Sequence, residues 1–420
     1  MALITQSPRG VQDVLPSEIY RWHTIEDRMK CICGKHGYKE IRVPTFEHTE
    51  LFARGVGDTT DVVNKEMYTF DDRGGRSITL RPEGTAGVVR ALIQGGVLAG
   101  TLPVRTYYLM PCYRYEKPQA GRLREFHQLG IELFGTEGPD ADFEVIMTAR
   151  EILSSFGLGR VRAEINSIGC KNCRPIYHEA LKEYFEARRG DLCETCQSRL
   201  DRNPMRILDC KSPICQEIAA GAPVTLDYLC DDCRDHFERF KGMLDAAKAE
   251  YTVNPRVVRG LDYYSRTVFE LVHEGAGAQG VVCGGGRYDG LVEMLGGNPT
   301  PAVGFGMGIE RLLNVMDAEG IVIPEPAGPD IFVYTLGNAS RDFVRMLVYE
   351  LKEKGISAQY DLNDRGLKAQ MKYADKIGAR FTAVIGDSEL ERGACVIRSM
   401  AEKTETESAL TAESIIQIIK

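Results

Sequence analysis

Ala302-Val303-Gly304-Phe305-Gly306-Met307-Gly308-Ile309-Glu310-Arg311-Leu312-Leu313 sets three glycines at alternate positions and then changes period. The alternation belongs to a strand, and the apolar repeat that follows belongs to a helix carrying Arg311. Glycine at every second strand position strips one sheet face of side chains, so either the joint packs tightly or a flat ligand lies against the backbone. Two further segments bear on that choice. Pro111-Cys112-Tyr113-Arg114-Tyr115-Glu116-Lys117-Pro118-Gln119-Ala120-Gly121-Arg122-Leu123-Arg124-Glu125-Phe126-His127-Gln128 has apolar ends around a polar middle with proline and glycine, which reads as a hairpin with a basic loop. Such a loop suits polyphosphate or RNA. Val258-Arg259-Gly260-Leu261-Asp262-Tyr263-Tyr264 reads as a strand joining a permanent cation to two aromatic hydroxyls. The guanidinium of Arg259 fits a carboxylate or a phosphate; the same residues also describe a strand end with a surface arginine and half-buried tyrosines.

The chain has 420 residues, 43% of them apolar and 27% charged, which fits two or three ordinary globular domains. Residues 1–9 contain no apolar stretch of signal-peptide length, and no run approaches the roughly 18 apolar residues of a membrane span. A cytoplasmic protein with no membrane partner is expected. The net charge of −8 argues against a generally polyanion-coated protein, while Arg114, Lys117, Arg122 and Arg124 supply a local basic patch. Residues 21–168 read as a helix followed by strand-rich sequence, with helix signals at 83–94 and 140–156. From 169 to 251 the character changes to helices, cysteines and charge, and strand signals return at Val253. Residues 320–329, rich in proline and glycine, read as a linker. Beyond it, strands at 330–336, 356–360 and 381–385 alternate with helices at 341–354 and 368–377, the pattern of a small α/β domain.

Eight of the thirteen cysteines lie between Cys170 and Cys233. They form three C-x-x-C pairs, Cys170/Cys173, Cys193/Cys196 and Cys230/Cys233, and a wider pair, Cys210/Cys215. In a reducing compartment this spacing favours zinc over disulfides; the competing reading is reduced thiols buried as small apolar groups. A site that has lost its metal is the further alternative; eight thiolates in four pairs could close two tetrahedral sites with no open position, so any Zn²⁺ here would be structural.

Taken together, these segments resemble the class II aminoacyl-tRNA synthetases, and over the whole chain the histidyl-tRNA synthetase family of bacterial type. Residues 111–128 are similar to the class motif 2, residues 302–313 to motif 3, and Gly37-Tyr38-Lys39-Glu40-Ile41-Arg42-Val43-Pro44 to motif 1. Arg259-Gly260-Leu261-Asp262-Tyr263-Tyr264 and Gly284-Gly285-Gly286-Arg287-Tyr288-Asp289-Gly290-Leu291 resemble the two histidine-specific signatures, and Leu80-Arg81-Pro82-Glu83-Gly84-Thr85-Ala86 supports both levels. The resemblance implies an α+β fold: an antiparallel-sheet catalytic domain at 1–325, interrupted by a helical, cysteine-rich insertion at 170–252, and an α/β anticodon-binding domain at 330–420. It implies that ATP with Mg²⁺ and L-histidine give a histidyl-adenylate, whose histidyl group passes to the 3′ end of the histidine tRNA. Arg114, Arg259 and Arg311 are then the catalytic cations. Glu132 and Tyr264 face the imidazole, Glu83, Thr85 and Gln128 take the α-ammonium group, and Tyr263 lines the pocket. Lys117, Gln119 and Arg122 are candidates for the tRNA 5′ end, Arg365, Arg380 and Phe381 for the anticodon. Motif 1 implies a homodimer with Pro44 near its interface. The family pattern supplies no zinc, so metal removal is expected to loosen the insertion and weaken tRNA charging while sparing adenylation.

Two other classes compete. A synthetase-like regulatory subunit of the histidine-biosynthetic phosphoribosyltransferase shares the catalytic fold but lacks the terminal domain that continues here past residue 329. A pure RNA-binding module explains the basic hairpin but not the amino-acid pocket.

Overall fold

The computed structural model describes residues 5–57, 60–119, 121–210, 212–273 and 280–420. The first four residues of the N-terminal segment and residue 120 of the hairpin loop lie outside them. The described residues divide into two compact units, Met1–Ile323 and Pro324–Lys420.

In the first unit the alternating apolar positions around the hairpin become two ten-residue strands, Val104–Tyr113 and Glu125–Phe134, paired antiparallel from Val104↔Phe134 to Tyr113↔Glu125. They form part of a sheet of eight strands among the described residues. Its order is Lys39–Glu40, Val104–Tyr113, Glu125–Phe134, Ala302–Gly308, Val281–Arg287, Ser265–His273, Val161–Ser167 and Tyr251–Val253. The two outermost strands pair parallel to their neighbours and the rest antiparallel.

Period-two alternation gives this sheet two unlike faces. Tyr107, Leu129, Ile131, Leu133, Val303, Phe305, Met307, Phe269 and Leu271 point to one side, into a single buried cluster. The helices Ile19–Lys35, Asp140–Ser155, Asp231–Ala246 and Ile309–Ala318 cover it with their apolar stripes. Their intervening neighbours, Gln128, Gly130, Glu132, Gly304, Gly306 and Glu270, emerge on the opposite face, where the cavity lies. Asp140 and Asp142 occupy the first turn of Asp140–Ser155, where carboxylates complement the helix dipole.

The cysteine-rich stretch folds as helices Arg174–Glu186, Glu194–Arg202, Pro213–Ala220 and Asp231–Ala246. Asp231–Ala246 sends Phe237, Phe240 and Leu244 into the main core, so this end of the insertion belongs to the packing of the sheet. The strand expected at 258–264 is instead an irregular segment of bends and turns between the strands Tyr251–Val253 and Ser265–His273. Glycine and aspartate at 260 and 262 favour turns over ladder pairing, and the backbone is held from outside the sheet: the Asp262 N–H donates to Val56 O at 3.0 Å.

In the second unit the parallel strands Ala358–Tyr360, Ile331–Leu336 and Phe381–Gly386 match the alternating pattern, with helices Asn338–Glu353 and Leu367–Lys376. Two further strands, Ala394–Ser399 and Glu405–Ala409, extend the sheet antiparallel, followed by the helix Ala412–Ile419. They escape a pattern reading because few of their residues turn inward, Cys395, Ile397 and Ser408 among them.

Candidate active site

A cavity of about 590 Å³ opens on the glycine-bearing face of the large sheet. Glu83, Thr85, Arg114, Gln128, Glu132, Arg259, Tyr263, Tyr264 and Arg311 all line it. The bare strand face foreseen at 304–308 is filled in part by the protein itself. A Cβ on Gly304 would lie 2.0 Å from Glu132 Oε2, one on Gly306 2.2 Å from Gln128 Nε2, and one on Gly284 2.4 Å from Arg259 Nη2. The glycines therefore clear space for polar side chains reaching across from neighbouring segments, and line the cavity beside them.

The acidic end is built around two buried carboxylates. Glu83 precedes the helix Thr85–Gln94 and accepts from its first free N–H groups, Thr85 N at 2.7 Å and Ala86 N at 2.8 Å. Burial pushes its carboxyl up, and those two N–H groups pull against it. Glu132 accepts from Thr85 Oγ1 at 2.7 Å and from the Tyr288 hydroxyl. Burial raises it to about 8 against both hydrogen bonds, so this carboxyl holds a proton at neutral pH. Tyr263 packs on Tyr264 with ring centroids 4.7 Å apart and on Tyr288 at 5.5 Å, closing an aromatic wall over the carboxylates.

The basic end carries three arginines on three separate elements. Arg114 leaves the end of Val104–Tyr113, donates Nε to Pro82 O at 2.8 Å and stands 5.4 Å from the Phe126 ring centroid. Arg259, on the irregular segment, pairs with Glu270 of the strand Ser265–His273; burial opposes its charge, and Glu270 and Tyr264 with its other neighbours together more than compensate. Arg311, in the first turn of Ile309–Ala318, donates to Val281 O at 2.7 Å. Burial and the nearby Arg122 lower its proton affinity. Of the loop cations, Arg122 also lines the cavity, Lys117 is exposed, and Arg124 stacks at 3.9 Å on Tyr115. Arg122 and Gln119 exchange backbone hydrogen bonds that tighten the loop.

Residues without a role in the sequence reading also occupy the site. Tyr288 lay inside a quoted signature without an assignment, yet it reaches Glu132. Glu270 carried only the alternation of its strand as a signal, and it anchors Arg259. Glu310 lines the cavity and accepts from His127 N at 2.8 Å and His127 Nδ1 at 2.9 Å. Arg287, in the same signature as Tyr288, is fully buried in a pair with Asp142 and donates to Thr136 O and Gly138 O. It fastens the strand Val281–Arg287 to the helix Asp140–Ser155 rather than facing the cavity. Arg81 likewise grips backbone, at Val43 O, Pro44 O and Pro111 O. In the second unit Arg380 pairs with Asp330 and Arg365 with Asp361.

The eight cysteines separate into two groups. Cys170, Cys173, Cys230 and Cys233 form one, and Cys193, Cys196, Cys210 and Cys215 the other, with all four sulfurs of each group within 4.8 Å of one another. Sγ separations are 3.6 Å for Cys170–Cys173 and 3.8 Å for both Cys170–Cys230 and Cys193–Cys210. Four sulfurs at roughly 2.3 Å from one tetrahedral metal must lie roughly 3.8 Å apart, whereas a disulfide needs about 2.05 Å. Backbone N–H groups of Asn172, Cys193, Ser212 and Cys230 point at sulfurs at 3.2–3.4 Å. Such donors favour thiolate and orient metal ligands.

A family model described as Histidyl-tRNA synthetase matches residues 10–174 and 218–312, and one described as Anticodon binding domain matches 330–420. The chain is 51% identical over 418 residues to the histidine--tRNA ligase of Acetivibrio thermocellus, covering 100% of both chains. It is 53% identical over 405 residues to that of Caldanaerobacter subterraneus, covering 96% of this chain and 97% of the other. Among solved structures, apo histidyl-tRNA synthetase of S. aureus superposes with a TM-score of 0.84 at 38% identity, covering 99% and 100% of the two chains. The second cysteine group falls wholly between the two stretches matched by the first family model.

Proposed function

Since the chain belongs to the histidyl-tRNA synthetase family and charges the histidine tRNA with histidine, we propose that the cavity on the glycine face is where both half-reactions occur. The observation that carries this is the convergence of three arginines and two buried carboxylates on one cavity from segments far apart in sequence. Enzymes of this class use ATP and Mg²⁺. In the first step a histidine carboxylate oxygen attacks the α-phosphorus, and the bond to the departing pyrophosphate breaks. Negative charge grows on the phosphates, so fixed cations dominate the acceleration, and no side-chain nucleophile is required. Arg114 holds the α-phosphate and substrate carboxylate, Arg259 reaches them from the opposite side, and Arg311 takes the γ-phosphate end. Carboxylates Glu270 and Glu310 offer the oxygen donors that Mg²⁺ accepts, and the ion would neutralise the leaving pyrophosphate. At the other end Glu132 and Tyr264 read the imidazole, with Tyr263 as wall, and Glu83, Thr85 and Gln128 receive the α-ammonium group. In the second step a hydroxyl of the terminal adenosine takes the histidyl group and AMP departs.

The unit Pro324–Lys420 is assigned to the anticodon arm, consistent with its family match. We further assign the protein to the cytoplasm, as a homodimer joined near Pro44, with the eight cysteines as two structural Zn²⁺ centres. Sulfur spacing and the N–H···S bonds support the metal. No helix among the described residues is long and apolar enough to cross a membrane.

The test is single-turnover adenylation. Arg259→His should lower its rate by on the order of a hundredfold with a smaller change in histidine affinity, as for loss of a transition-state contact. An unchanged rate would refute the assignment of Arg259.

A further inference from the structure

The segment 257–264 bears Arg259, Tyr263 and Tyr264, yet it pairs with no strand. Its backbone is gripped from the cysteine-rich insertion. Arg174, directly after Cys173, donates to Tyr264 O. Arg206 Nη2 donates to Gly260 O at 2.5 Å and to Asp262 Oδ1 at 3.3 Å, and Asn203 Nδ2 reaches the same carboxylate oxygen at 3.1 Å. Arg206 and Asn203 lie inside the loop that Cys196 and Cys210 close, and Arg199 Nη1 donates to Arg206 O at 3.2 Å across that loop. Asp209 and Gln216, each next to a cysteine of the second group, line the cavity.

The lobe shares a core with the pocket: Leu192, Leu200, Met205 and Ile207 join one buried cluster with Tyr263 and Tyr264. The helix Glu194–Arg202 buries only Cys196 and Leu200, and Pro213–Ala220 only Cys215 and Ala219. One of the two buried residues on each helix is a cysteine, so a metal joining the four sulfurs would fix both helices against that cluster.

We propose that the two four-cysteine metal centres clamp the histidine-binding segment, each through an arginine it holds in place, so that histidine binding requires metal. This rests on the reading of Arg259, Tyr263 and Tyr264 as pocket residues. It departs from the sequence expectation that metal removal spares adenylation, because the insertion touches the pocket backbone directly. Arg174 and Arg206 are positioning residues.

Elemental analysis of the full-length protein, purified under reducing conditions, should give two zinc ions per chain. Stripping them with a chelator should raise the histidine KM in pyrophosphate exchange by on the order of tenfold or more, leave the ATP KM unchanged, and be reversed by adding zinc. Cys215→Ser should reproduce the rise, and Cys215→His, which keeps a zinc ligand, should largely rescue it. Arg206→Met should retain both metals yet raise the histidine KM on the order of tenfold. A merely structural role would reduce the active fraction, and so kcat, with KM constant. Substoichiometric metal, or an unchanged histidine KM in the Arg206→Met enzyme, would overturn the proposal; if stripping unfolds the chain, the Arg206→Met result decides. An error in the pocket reading would show separately, as a normal adenylation rate in the Arg259→His enzyme.

Discussion

In the proposed pocket, histidine selection falls chiefly to the carboxyl of Glu132. Its partners, Thr85 Oγ1 and the Tyr288 hydroxyl, are neutral donors, and burial lifts it to about 8. With its value raised in the fold, the neutral form is favoured: the associated stability is complete below the ordinary carboxylate range and fades as pH rises through about 8. A neutral imidazole meeting a protonated carboxyl shares one proton with it, giving a charge-assisted pair; above pH 8 that proton is missing from the free enzyme. We therefore expect kcat/KM for histidine to fall above about pH 8 with a single ionisation of the free enzyme. Glu132→Gln should lack that step and lose on the order of a hundredfold in kcat/KM, because an amide can hydrogen-bond the ring but cannot share a proton with it to form the charge-assisted pair. The pH profile of pyrophosphate exchange for both proteins is the check, and a step near pH 8 that survives in the Gln variant counts against the role. Glu132 could be named from resemblance alone, but its raised value could not, since that depends on Tyr288 and the other groups enclosing it.

At the scale of the element, alternation explains why a few strands suffice for both core and site. Leu129, Ile131 and Leu133 enter the core while Gln128 and Glu132 face the cavity, so a one-residue slip in register would exchange them. That register is pinned partly by the buried pair of Arg287 with Asp142, which joins a sheet strand to the helix Asp140–Ser155. Burial opposes ionisation of Asp142, and Arg287 and His236 nevertheless hold its carboxyl below the usual range. Its stabilising contribution is then present above the ordinary carboxylate value and is lost as pH falls through the lower folded value. Arg287→Met should destabilise the protein by about 3–5 kcal/mol, since it strands a buried carboxylate. Equilibrium urea unfolding at neutral pH measures this; a loss under about 1 kcal/mol would mean that the pair is solvated. The segment 258–264 is the element a pattern reading misplaced. Its aromatic and β-branched residues look strand-like, and contacts from Val56, Arg174 and Arg206, distant in sequence, hold it as a loop.

For the whole molecule, the open question of assembly has a surface to answer it. Phe46 is 57% exposed and Phe70 48%, on the small sheet formed by Phe46–His48, Ser77–Leu80 and Thr69–Asp71, and Pro44 is exposed just before it. Two large aromatics on one small sheet suit a partner surface. Covering each would contribute roughly 1.5–3 kcal/mol. The double variant Phe46→Glu, Phe70→Lys should thus raise the dimer dissociation constant at least roughly a hundredfold. Sedimentation velocity across a concentration series should show monomer where the parent protein is dimeric; an unchanged mass would place the interface elsewhere.

What the amino-acid order determined by itself is local: the strand period at 104–113 and 302–308, the helix stripe from Ile309, the glycines, and the pairing of eight cysteines at short spacing. These follow from short-range sterics and side-chain periodicity, and together with the resemblance they named nine of the residues that line the cavity. Tertiary structure alone decided which cysteines meet, because four pairs leave their grouping open until the chain folds and sets Cys170 beside Cys230 and Cys193 beside Cys210. It also decided that Glu270 anchors Arg259, that Arg287 is buried against Asp142 rather than facing the cavity, and that the insertion grips the backbone of residues 260–264. Each of these joins residues whose separation in sequence carries no signal of their contact, and whose energies depend on water being excluded where they meet.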